Sequence, residues 1–462
     1  MRTERKGLSH RIIESFYPSV PTVLLTRSSL LITHHCVMLS CLLRPQPIFS
    51  LALEGIRHSP DFRIHHLMQA VLFKCPGQEW HWLGGMTLLE RNLWLLEATG
   101  VDSVLILHPP GDTLPSLTAL PRKSRLELYG AAVEVAATDP LAILPALRFE
   151  LRQPFLFLEA NLLVDPRALE TLLWQNPPCF LVLGNGADPA PVWRVGWFKA
   201  EHWPLGNKVL QRANRVSLTA VPPYHAELHA EVPPYCEKIS NEKDLDRGWQ
   251  LLIDRVAKRP ADVIEQYVTP PLENWLVRKL CDTRVTPHLV ALLSLAGALT
   301  AASLFYQGWL FLAVFLAWTA IVLDGATGKL ARIKLITLPI GLLAHLVDFF
   351  PENAWYLTLA GNLTPRHGPA AWHMGLAITG CNLSDKVIDA LFARLKGKTL
   401  DEMSLFDRRF RLVGGCRNIY LLILCVGFLL GVPFCALQAV LSWAGVTLLI
   451  RLGRAGSHLL HR

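Results

Sequence analysis

The stretch DGATGKLAR, from Asp324 to Arg332, decides how the second half of this chain is interpreted. It interrupts a series of apolar segments that extends from residue 286 almost to the end of the chain. A carboxylate, a lysine and an arginine are costly to place at the mouth of a membrane span, so charged residues there indicate a functional site. We therefore expect a site on a membrane-spanning helix.

Composition limits the class of protein. The chain has 462 residues, of which 51% are hydrophobic and 18% charged, and this predicts two or three domains that are partly soluble and partly embedded in a membrane. The formal net charge is +8, but the basic residues cluster beside the apolar segments. They indicate anionic headgroups at a cytoplasmic membrane face rather than nucleic acid. The ten cysteines include no Cys-x-x-Cys pair, which predicts reduced thiols rather than zinc or disulfides.

Residues 1–67 are the least informative part of the chain. Arg27, His34 and His35 interrupt the apolar stretch Val20–Leu43, and no signal-peptide order is recognisable. We expect either a poorly ordered extension or a segment that is not part of the natural product.

Residues 68 onwards alternate between strand and helix patterns. Gln69–Phe73 is a short apolar run, Thr87–Thr99 has apolar residues at helical spacing with Gly100 as its stop, and Val101–Leu107 is a second strand pattern. Strand, helix and strand joined by short connections predict a parallel sheet.

A third strand and a capped helix follow. Pro154–Glu159 is a buried-strand pattern. Asp165 precedes a proline and the helix Arg167–Trp174, so we interpret Asp165 as the helix N-cap rather than as a metal ligand.

These segments resemble the sugar-nucleotide and CTP-dependent nucleotidyltransferase family. The resemblance lies in GGMTLLER at Gly84–Arg91, in GVDSV at Gly100–Val104, and in the closing helix around Lys238–Leu252. It implies an α/β, Rossmann-like nucleotidyltransferase domain over residues 68–258.

The chain lacks most of the residues with which that family binds nucleotides and metals. The loop KCPGQEW at Lys74–Trp80 has one glycine, a proline that removes a backbone donor, and no arginine to cradle phosphates. The Gly-Asp pair that holds a metal in the family is replaced by Ala160 and Asn161, and a neutral amide is a weaker ligand for a hard cation. We expect a folded, catalytically inactive domain that serves as a scaffold or docking module.

Residues 259–462 are predicted to form an all-α domain with six transmembrane helices. Lysine and arginine are concentrated on one side of these spans, as at Lys329–Lys334 and Lys386–Arg417. This asymmetry predicts a multi-pass protein of the inner membrane, with both soluble ends and Asp324 at the cytoplasmic side. The predicted spans are Thr286–Phe305, Trp309–Leu323, Leu335–Phe350, Ala370–Leu383, Ile419–Ala436 and Val440–Leu452.

This half resembles the CDP-alcohol phosphatidyltransferase family. The family signature is written D-x-x-D-G-x-x-A-R-x8-G-x3-D-x3-D, and five of its positions are matched at the correct gaps by Asp324, Gly328, Ala331, Arg332 and Gly341. KRPAD at residues 258–262 and RVTPH at residues 284–288 resemble the stretches before the first span. With the soluble domain in front, the arrangement resembles the bifunctional inositol-phosphate cytidylyltransferase and di-inositol-phosphate-phosphate synthase proteins.

The resemblance implies a transferase that moves a substituted phosphate from a CDP-alcohol to an alcohol or lipid acceptor. Carboxylates on two neighbouring spans would hold two divalent cations, Mg²⁺ or Mn²⁺, which take the charge of the pyrophosphate. Gly328, Lys329, Ala331 and Arg332 would lie against the substrate, where glycine permits close approach and arginine neutralises phosphate. The last aspartate of the signature would act as the base, and the family implies a homodimer.

The chain departs from the signature at its acidic positions. The second aspartate is Thr327, and the third falls on His345 or, in a shifted alignment that puts Asp348 in the fourth place, on Ala344. The candidate metal ligands are therefore Asp324, Thr327, His345 and Asp348, with Asp348 as the candidate base. Alternative roles stay open: a helix-end charge for Asp324, an interhelical hydrogen bond for His345 and an interfacial contact for Asp348.

Two functions follow from this incomplete signature. The first is an integral-membrane CDP-alcohol transferase of phospholipid or polar-lipid biosynthesis. The second is a catalytically lapsed relative, a pseudoenzyme that binds a nucleotide or headgroup or supports an active partner.

Overall fold

The computed structural model describes residues 68–77, 80–114, 124–136, 140–147, 153–182, 193–199, 201–202, 208–209, 211–225, 228, 230–258, 262–336 and 342–460; for residues 342–348 it describes the backbone alone. The segment 1–67, Gly341 and the side chains of His345 and Asp348 therefore lie outside the described part of the chain.

The α/β part is built on a seven-stranded mixed sheet with the order β3-β2-β1-β4-β7-β6-β8. Strand β1 lies near the centre and pairs in parallel with β2 and β4, whereas β7 pairs antiparallel with β4 and β6. Two two-stranded sheets, β10-β9 and β11-β5, complete it. The strands are β1 Met68–Phe73, β2 Val101–His108, β3 Glu127–Ala132, β4 Phe155–Glu159, β5 Leu162–Val164, β6 Cys179–Val182, β7 Trp193–Phe198, β8 Asn214–Ser217, β9 Tyr224–His225, β10 Ala230–Glu231 and β11 Cys236–Lys238.

The predicted strand-helix-strand unit is confirmed. Helix α1 spans Leu88–Ala98, and Thr87 and Glu90 form a capping box at its start, in which each side chain accepts a hydrogen bond from the other's backbone N–H. Gly100 follows the helix with φ +90°, a left-handed value that a residue with a Cβ rarely adopts. The helix ends there, and β2 begins one residue later.

The second predicted unit is also confirmed. All five residues of β4 are buried, and helix α3 spans Pro166–Leu173 after the short helix α2, Leu144–Leu147. One carboxylate oxygen of Asp165 accepts from the backbone N–H of Arg167 at 2.9 Å, and the other pairs with the Arg167 guanidinium at 2.7 Å. Asp165 therefore serves as the N-cap of α3, as expected.

The rest of the described chain is helical. Six of its helices correspond in order to the six predicted spans. The helices are α4 Glu242–Val256, α5 Val263–Tyr267, α6 Thr269–Cys281, α7 Pro287–Gln307, α8 Leu310–Ile333, α9 Leu342–His367, α10 Pro369–Lys396, α11 Leu405–Val413, α12 Arg417–Leu429 and α13 Pro433–Leu460.

The number of spans is lower than expected. Within the described residues, four helical stretches are long and apolar enough to cross a membrane: α7, α8, the stretch Leu405–Leu429 and α13. The third includes the break between α11 and α12, and its apolar character comes from α12. Helices α9 and α10 are long, with 26 and 28 residues, but carry more polar side chains, so length and composition support four spans rather than six.

The boundary between the last two predicted spans is wrong. We expected the break between Ala436 and Val440, but α12 ends at Leu429 and α13 begins at Pro433. Gly431 adopts φ +74°, which ends a helix, and proline fits the first turn of the next helix because it lacks the N–H that has no partner there.

One buried cluster joins the α/β part to the helical part. Arg91 of α1 reinforces it: its guanidinium donates to the backbone oxygens of Ile333 at 2.8 Å and Leu83 at 3.3 Å, and burial lowers its pKa. At Gly85, with φ +79°, a Cβ would lie 2.5 Å from the backbone oxygen of Cys281. The buried residues of this cluster are Leu83, Leu88, Leu163, Ile239, Trp249, Leu252, Val277, Cys281, Val290, Ala326, Leu330 and Ile333.

Candidate functional site

The DGATGKLAR segment forms the last turns of α8, where that helix meets α6, the end of α4 and the start of α12. The segment is continuous helix, so residues three or four apart share a face. Its charged side chains point to three different neighbours rather than into one common cavity. The site is therefore defined by what each side chain contacts.

Asp324 forms an ion pair with Arg417, the first residue of α12. The distance between the Asp324 carboxylate and the Arg417 guanidinium is 2.9 Å, and their side chains are 38% and 24% exposed. Glu352 of α9 and Glu265 of α5 add to the negative field that acts on Arg417. A guanidinium thus holds the place beside Asp324 where the family resemblance leads us to expect a divalent cation.

Asp262 fixes the start of α12 next to this pair. One of its carboxylate oxygens accepts from the backbone N–H of Glu265, capping α5, at 2.9 Å. The other accepts from the Asn418 amide at 2.7 Å. Because Asn418 follows Arg417 directly, the Asp262 contact sets the position from which Arg417 reaches α8.

Thr327 occupies the position of the second signature aspartate. Its hydroxyl donates to the backbone oxygen of Leu323, one turn earlier, at 2.8 Å, and the residue is 4% exposed. A hydroxyl that is satisfied by its own helix and carries no charge replaces little of the electrostatic attraction of a carboxylate for a cation.

Lys329 is buried against α6. Its ammonium lies 3.0 Å from the Glu273 carboxylate and donates to the Asn274 side-chain oxygen at 2.7 Å. Both members of the Lys329–Glu273 pair are less than a tenth exposed. At Gly325, a Cβ would lie 2.5 Å from the Glu273 carboxyl group, so a larger residue there would displace this carboxylate from its present position. Lys329, expected to contact substrate, instead binds the helix before the first span.

Arg332, at the end of the segment, contacts α4. The Nε of Arg332 donates to the backbone oxygen of Val256, the last residue of α4, at 2.7 Å. The guanidinium lies over Gly328, where a Cβ would be at an ordinary 3.5 Å from its nitrogens. Ala331 is 5% exposed and packed inside the protein. Of the predicted substrate-binding residues, Arg332 thus binds α4, Gly328 lies under its guanidinium, and Ala331 is buried.

The other two predicted ligands are not described. His345 and Asp348 belong to the backbone of α9, and their side chains lie outside what the structure describes. Their roles as a metal ligand and as the catalytic base stay predictions.

The described part of the predicted donor set, Asp324 and Thr327, does not by itself fit a pair of divalent cations. Among the described residues there is no group of three or more His, Cys, Asp or Glu side chains that could hold a metal ion. Asp324 is already paired with a guanidinium, and Thr327 is neutral. Two-metal catalysis needs several oxygen ligands around each ion, so the described residues supply too few.

Ion pairs also lie at the ends of the central strands of the α/β part. Glu159, at the end of β4, is completely buried, and its carboxylate lies 3.2 Å from the Arg194 Nε and 2.9 Å from the Lys238 Nζ. Lys74, in the loop after β1, is 2.5 Å from the Asp112 carboxylate. Lys74, Arg194 and Lys238 are thus each paired with a carboxylate, of which Glu159 is buried and Asp112 is partly exposed.

Sequence reasoning missed the residues that determine the state of the site. Arg417, Glu273 and Asp262 had no assigned role, and Gly325 was not separated from Gly328. No periodicity or motif signals these contacts, since Asp324 and Arg417 are 93 positions apart in the chain. A buried acid-base match between segments becomes visible only in three dimensions.

Comparisons with known proteins agree with the predicted resemblance. No protein-family model matches the chain. The "Bifunctional IPC transferase and DIPP synthase" of Rubrobacter xylanophilus is 26% identical over 202 residues, which are 44% of this chain. The chain spans 44% of the length of that relative.

Two solved structures cover one part of the chain each. The inositol-1-phosphate CTP transferase from T. maritima is 12% identical, with a TM-score of 0.28, and the match covers 39% of this chain and 93% of that one. The phosphatidylinositol phosphate synthase of Mycobacterium tuberculosis, in complex with manganese and citrate, is 18% identical, with a TM-score of 0.31, and covers 41% and 88%. At these TM-scores the two matches carry no argument about function.

The similarity to the Rubrobacter protein confirms the family resemblance predicted from the sequence. Over 44% of its length, the chain is similar to a protein named as a bifunctional IPC transferase and DIPP synthase.

Proposed function

We propose that this chain is an integral-membrane protein of the CDP-alcohol phosphatidyltransferase type whose phosphotransfer chemistry has lapsed. It acts as a binding or scaffold subunit in the synthesis of phospholipids or related polar lipids. One observation carries the proposal: Asp324, Lys329 and Arg332, the charged residues of the signature, each have a partner inside the protein.

The charge balance supports this proposal. Phosphoryl transfer by this family depends on cations that neutralise a pyrophosphate as its bond breaks. Here the negative charge of Asp324 is matched by Arg417, and the positive charge of Lys329 is matched by Glu273. Among the residues that the structure describes, the site therefore has neither an acidic cage for two cations nor an uncommitted lysine for the phosphates.

The α/β part is proposed to be inactive for the same reason. Its buried Glu159 is held between Arg194 and Lys238, and Asn161 stands where the family has a metal-binding aspartate. Its shared core with α6 and α8 supports a structural role. We place this part in the cytoplasm beside an inner membrane and expect the whole chain to form a homodimer.

A second candidate is the active transferase, and the exposure of Asp324 favours it. The Asp324 side chain is 38% exposed, so a substrate complex can reach it without opening the protein. In this alternative Asp324 and Asp348 hold one Mg²⁺ or Mn²⁺, and the chain transfers a phosphate-linked alcohol from its CDP derivative to an alcohol or lipid acceptor.

An assay of the purified protein in lipid separates these candidates. Radiolabelled CDP-alcohols are supplied with Mg²⁺ or Mn²⁺ to the natural protein, to Asp324→Ala and to Asp254→Ala, the control for an exposed aspartate on α4. If the natural protein and Asp254→Ala both turn over a CDP-alcohol and Asp324→Ala does not, the chain is an active transferase. Absence of turnover with retained binding of CDP in EDTA supports the lapsed form, and absence of both would contradict a nucleotide-binding role.

A further inference from the structure

Helix α11 buries a charged side chain and exposes apolar ones, the opposite of an ordinary surface helix. The charged Asp407 is 5% exposed and turned towards the protein, whereas Leu405, Phe406 and Val413 are 69%, 54% and 48% exposed. A surface helix in water normally directs its apolar side inwards. The arrangement of α11 therefore indicates that its outer side does not face bulk water.

The exposed residues form one continuous face. At 100° per residue, positions 405, 406, 409, 410 and 413 lie within an arc of about 140°, position 411 lies opposite, and positions 407 and 408 lie about 60° beyond the two edges of the arc. The side chains of this open surface are Leu405, Phe406, Arg409, Phe410 and Val413. The rings of Phe406 and Phe410 stack with centroids 6.0 Å apart. The face combines aromatic and aliphatic side chains with one central arginine.

The opposite side of α11 is held by ionic contacts. The Asp407 carboxylate accepts from the Arg454 Nε at 2.7 Å and lies 2.8 Å from the His458 Nε2, both on α13. Arg411 lies 3.6 Å from the Asp401 carboxylate and 3.9 Å from that of Asp385. Because these contacts fix the rotation of the helix, the apolar face cannot turn inwards without breaking them.

Helix α11 directly precedes an apolar helix and lies near a contact with the α/β part. The helix leads through residues 414–416 into the apolar helix α12. Just before α11, the Glu402 carboxylate accepts a hydrogen bond from the Tyr224 hydroxyl of the α/β part at 2.9 Å. Helix α11 therefore lies at the end of the helical part that carries the α/β part, where a spanning helix begins.

We propose that the outer face of α11 lies on an anionic lipid surface, with Leu405, Phe406 and Val413 among the acyl chains, Arg409 reaching the headgroups from the face, and Arg408 reaching them from beside it. Charge complementarity selects lipid as the occupant. Arg408 and Arg409 are both exposed, while Asp407 is buried, so α11 presents cations without a carboxylate. A short apolar and basic face of this kind binds at the interface of negatively charged membranes.

A photocrosslinking experiment on the full chain tests this contact. Phe406→p-benzoylphenylalanine is reconstituted into vesicles of equal parts phosphatidylcholine and phosphatidylglycerol, irradiated and analysed by mass spectrometry. Phe315→p-benzoylphenylalanine, 67% exposed on the spanning helix α8, is the control for acyl-chain contact. Trp174→p-benzoylphenylalanine, 62% exposed on the α/β part, is the control for a surface in water.

We expect lipid adducts at positions 406 and 315 and none at position 174. Adducts at position 406 should favour phosphatidylglycerol over phosphatidylcholine by about fivefold, because one arginine near an anionic surface contributes about 1 kcal/mol. A lipid-free position 406, or crosslinks there only to a second copy of the chain, would overturn the proposal. Crosslinks only to another protein when the same variant is irradiated in cells would overturn it too.

The two arginines are tested by Arg408→Gln combined with Arg409→Gln in the Phe406 variant. Loss of both charges should lower the ratio of phosphatidylglycerol to phosphatidylcholine adducts at position 406 to the ratio at position 315. Adducts should still form at position 406, because the apolar residues keep it in contact with lipid. An unchanged preference for phosphatidylglycerol would contradict the role of the arginines. If the Phe406 variant does not accumulate, Leu405→p-benzoylphenylalanine gives the same readout from the same face.

Discussion

The buried carboxylate of the α/β part and the exposed carboxylate of the helical part have similar partners but different surroundings. Glu159 is 0% exposed and lies between two cations, Arg194 and Lys238. Asp324 is 38% exposed and has one cation, Arg417. Removing one member of a buried pair leaves a charge without solvent, whereas an exposed pair can exchange its partner for water. The α/β site is thus a fixed structural element, and the membrane site can still change partners.

The largest effect is expected at Glu159. In Glu159→Gln the two cations lose their common carboxylate inside the protein, and the free energy of unfolding should fall by about 3–5 kcal/mol. Thermal or denaturant unfolding followed by a signal of the α/β part measures this. Asp254→Asn on the exposed side of α4 is the control. A loss of stability no larger than that of the control would remove the distinction between the two regions.

A somewhat smaller effect is expected at the junction between the regions. Gly85→Ala places a Cβ 2.5 Å from the Cys281 oxygen at a φ of +79°. Strain and backbone displacement should together cost about 2–4 kcal/mol. Gly100→Ala has a similar φ of +90° with no atom within 4 Å, and should cost about 1–2 kcal/mol. Equal unfolding temperatures for the two variants would contradict the proposed close contact with α6.

The partly exposed Asp324–Arg417 pair should respond more weakly. Asp324→Asn and Arg417→Gln are each expected to lower the free energy of unfolding by about 0–1 kcal/mol, because solvent screens the pair. The combined variant gives the coupling energy of the pair in a double-mutant cycle. A coupling of several kcal/mol would show that Asp324 is as tightly committed as Glu159.

The smallest effect is expected from metal removal. If Arg417 supplies the positive charge beside Asp324, exchange of Mg²⁺ for EDTA should leave the unfolding temperature of the protein in lipid unchanged. Arg417→Gln, measured in the same two buffers, shows whether loss of the guanidinium creates a dependence on Mg²⁺. A clear fall of the unfolding temperature of the natural protein in EDTA would favour the metal-dependent alternative.

Local features of the fold were predictable because their causes lie within a few residues. The Thr87–Glu90 capping box, the stop at Gly100 and the Asp165 cap each depend on neighbours in the sequence. Apolar periodicity located the strands and the long helices in the same way. It was less accurate for the end of α12, where the turn at Gly431 divides a continuous apolar stretch.

The sequence by itself determined the two-part architecture, the family resemblance and the positions of the signature residues, since spacing and hydropathy encode these directly. Only the tertiary structure decided that Asp324 meets Arg417, that Lys329 meets Glu273 and that α11 directs its apolar face outwards. The physical reason is that charge pairing and burial depend on distances between segments far apart in the chain, and no local pattern specifies those distances.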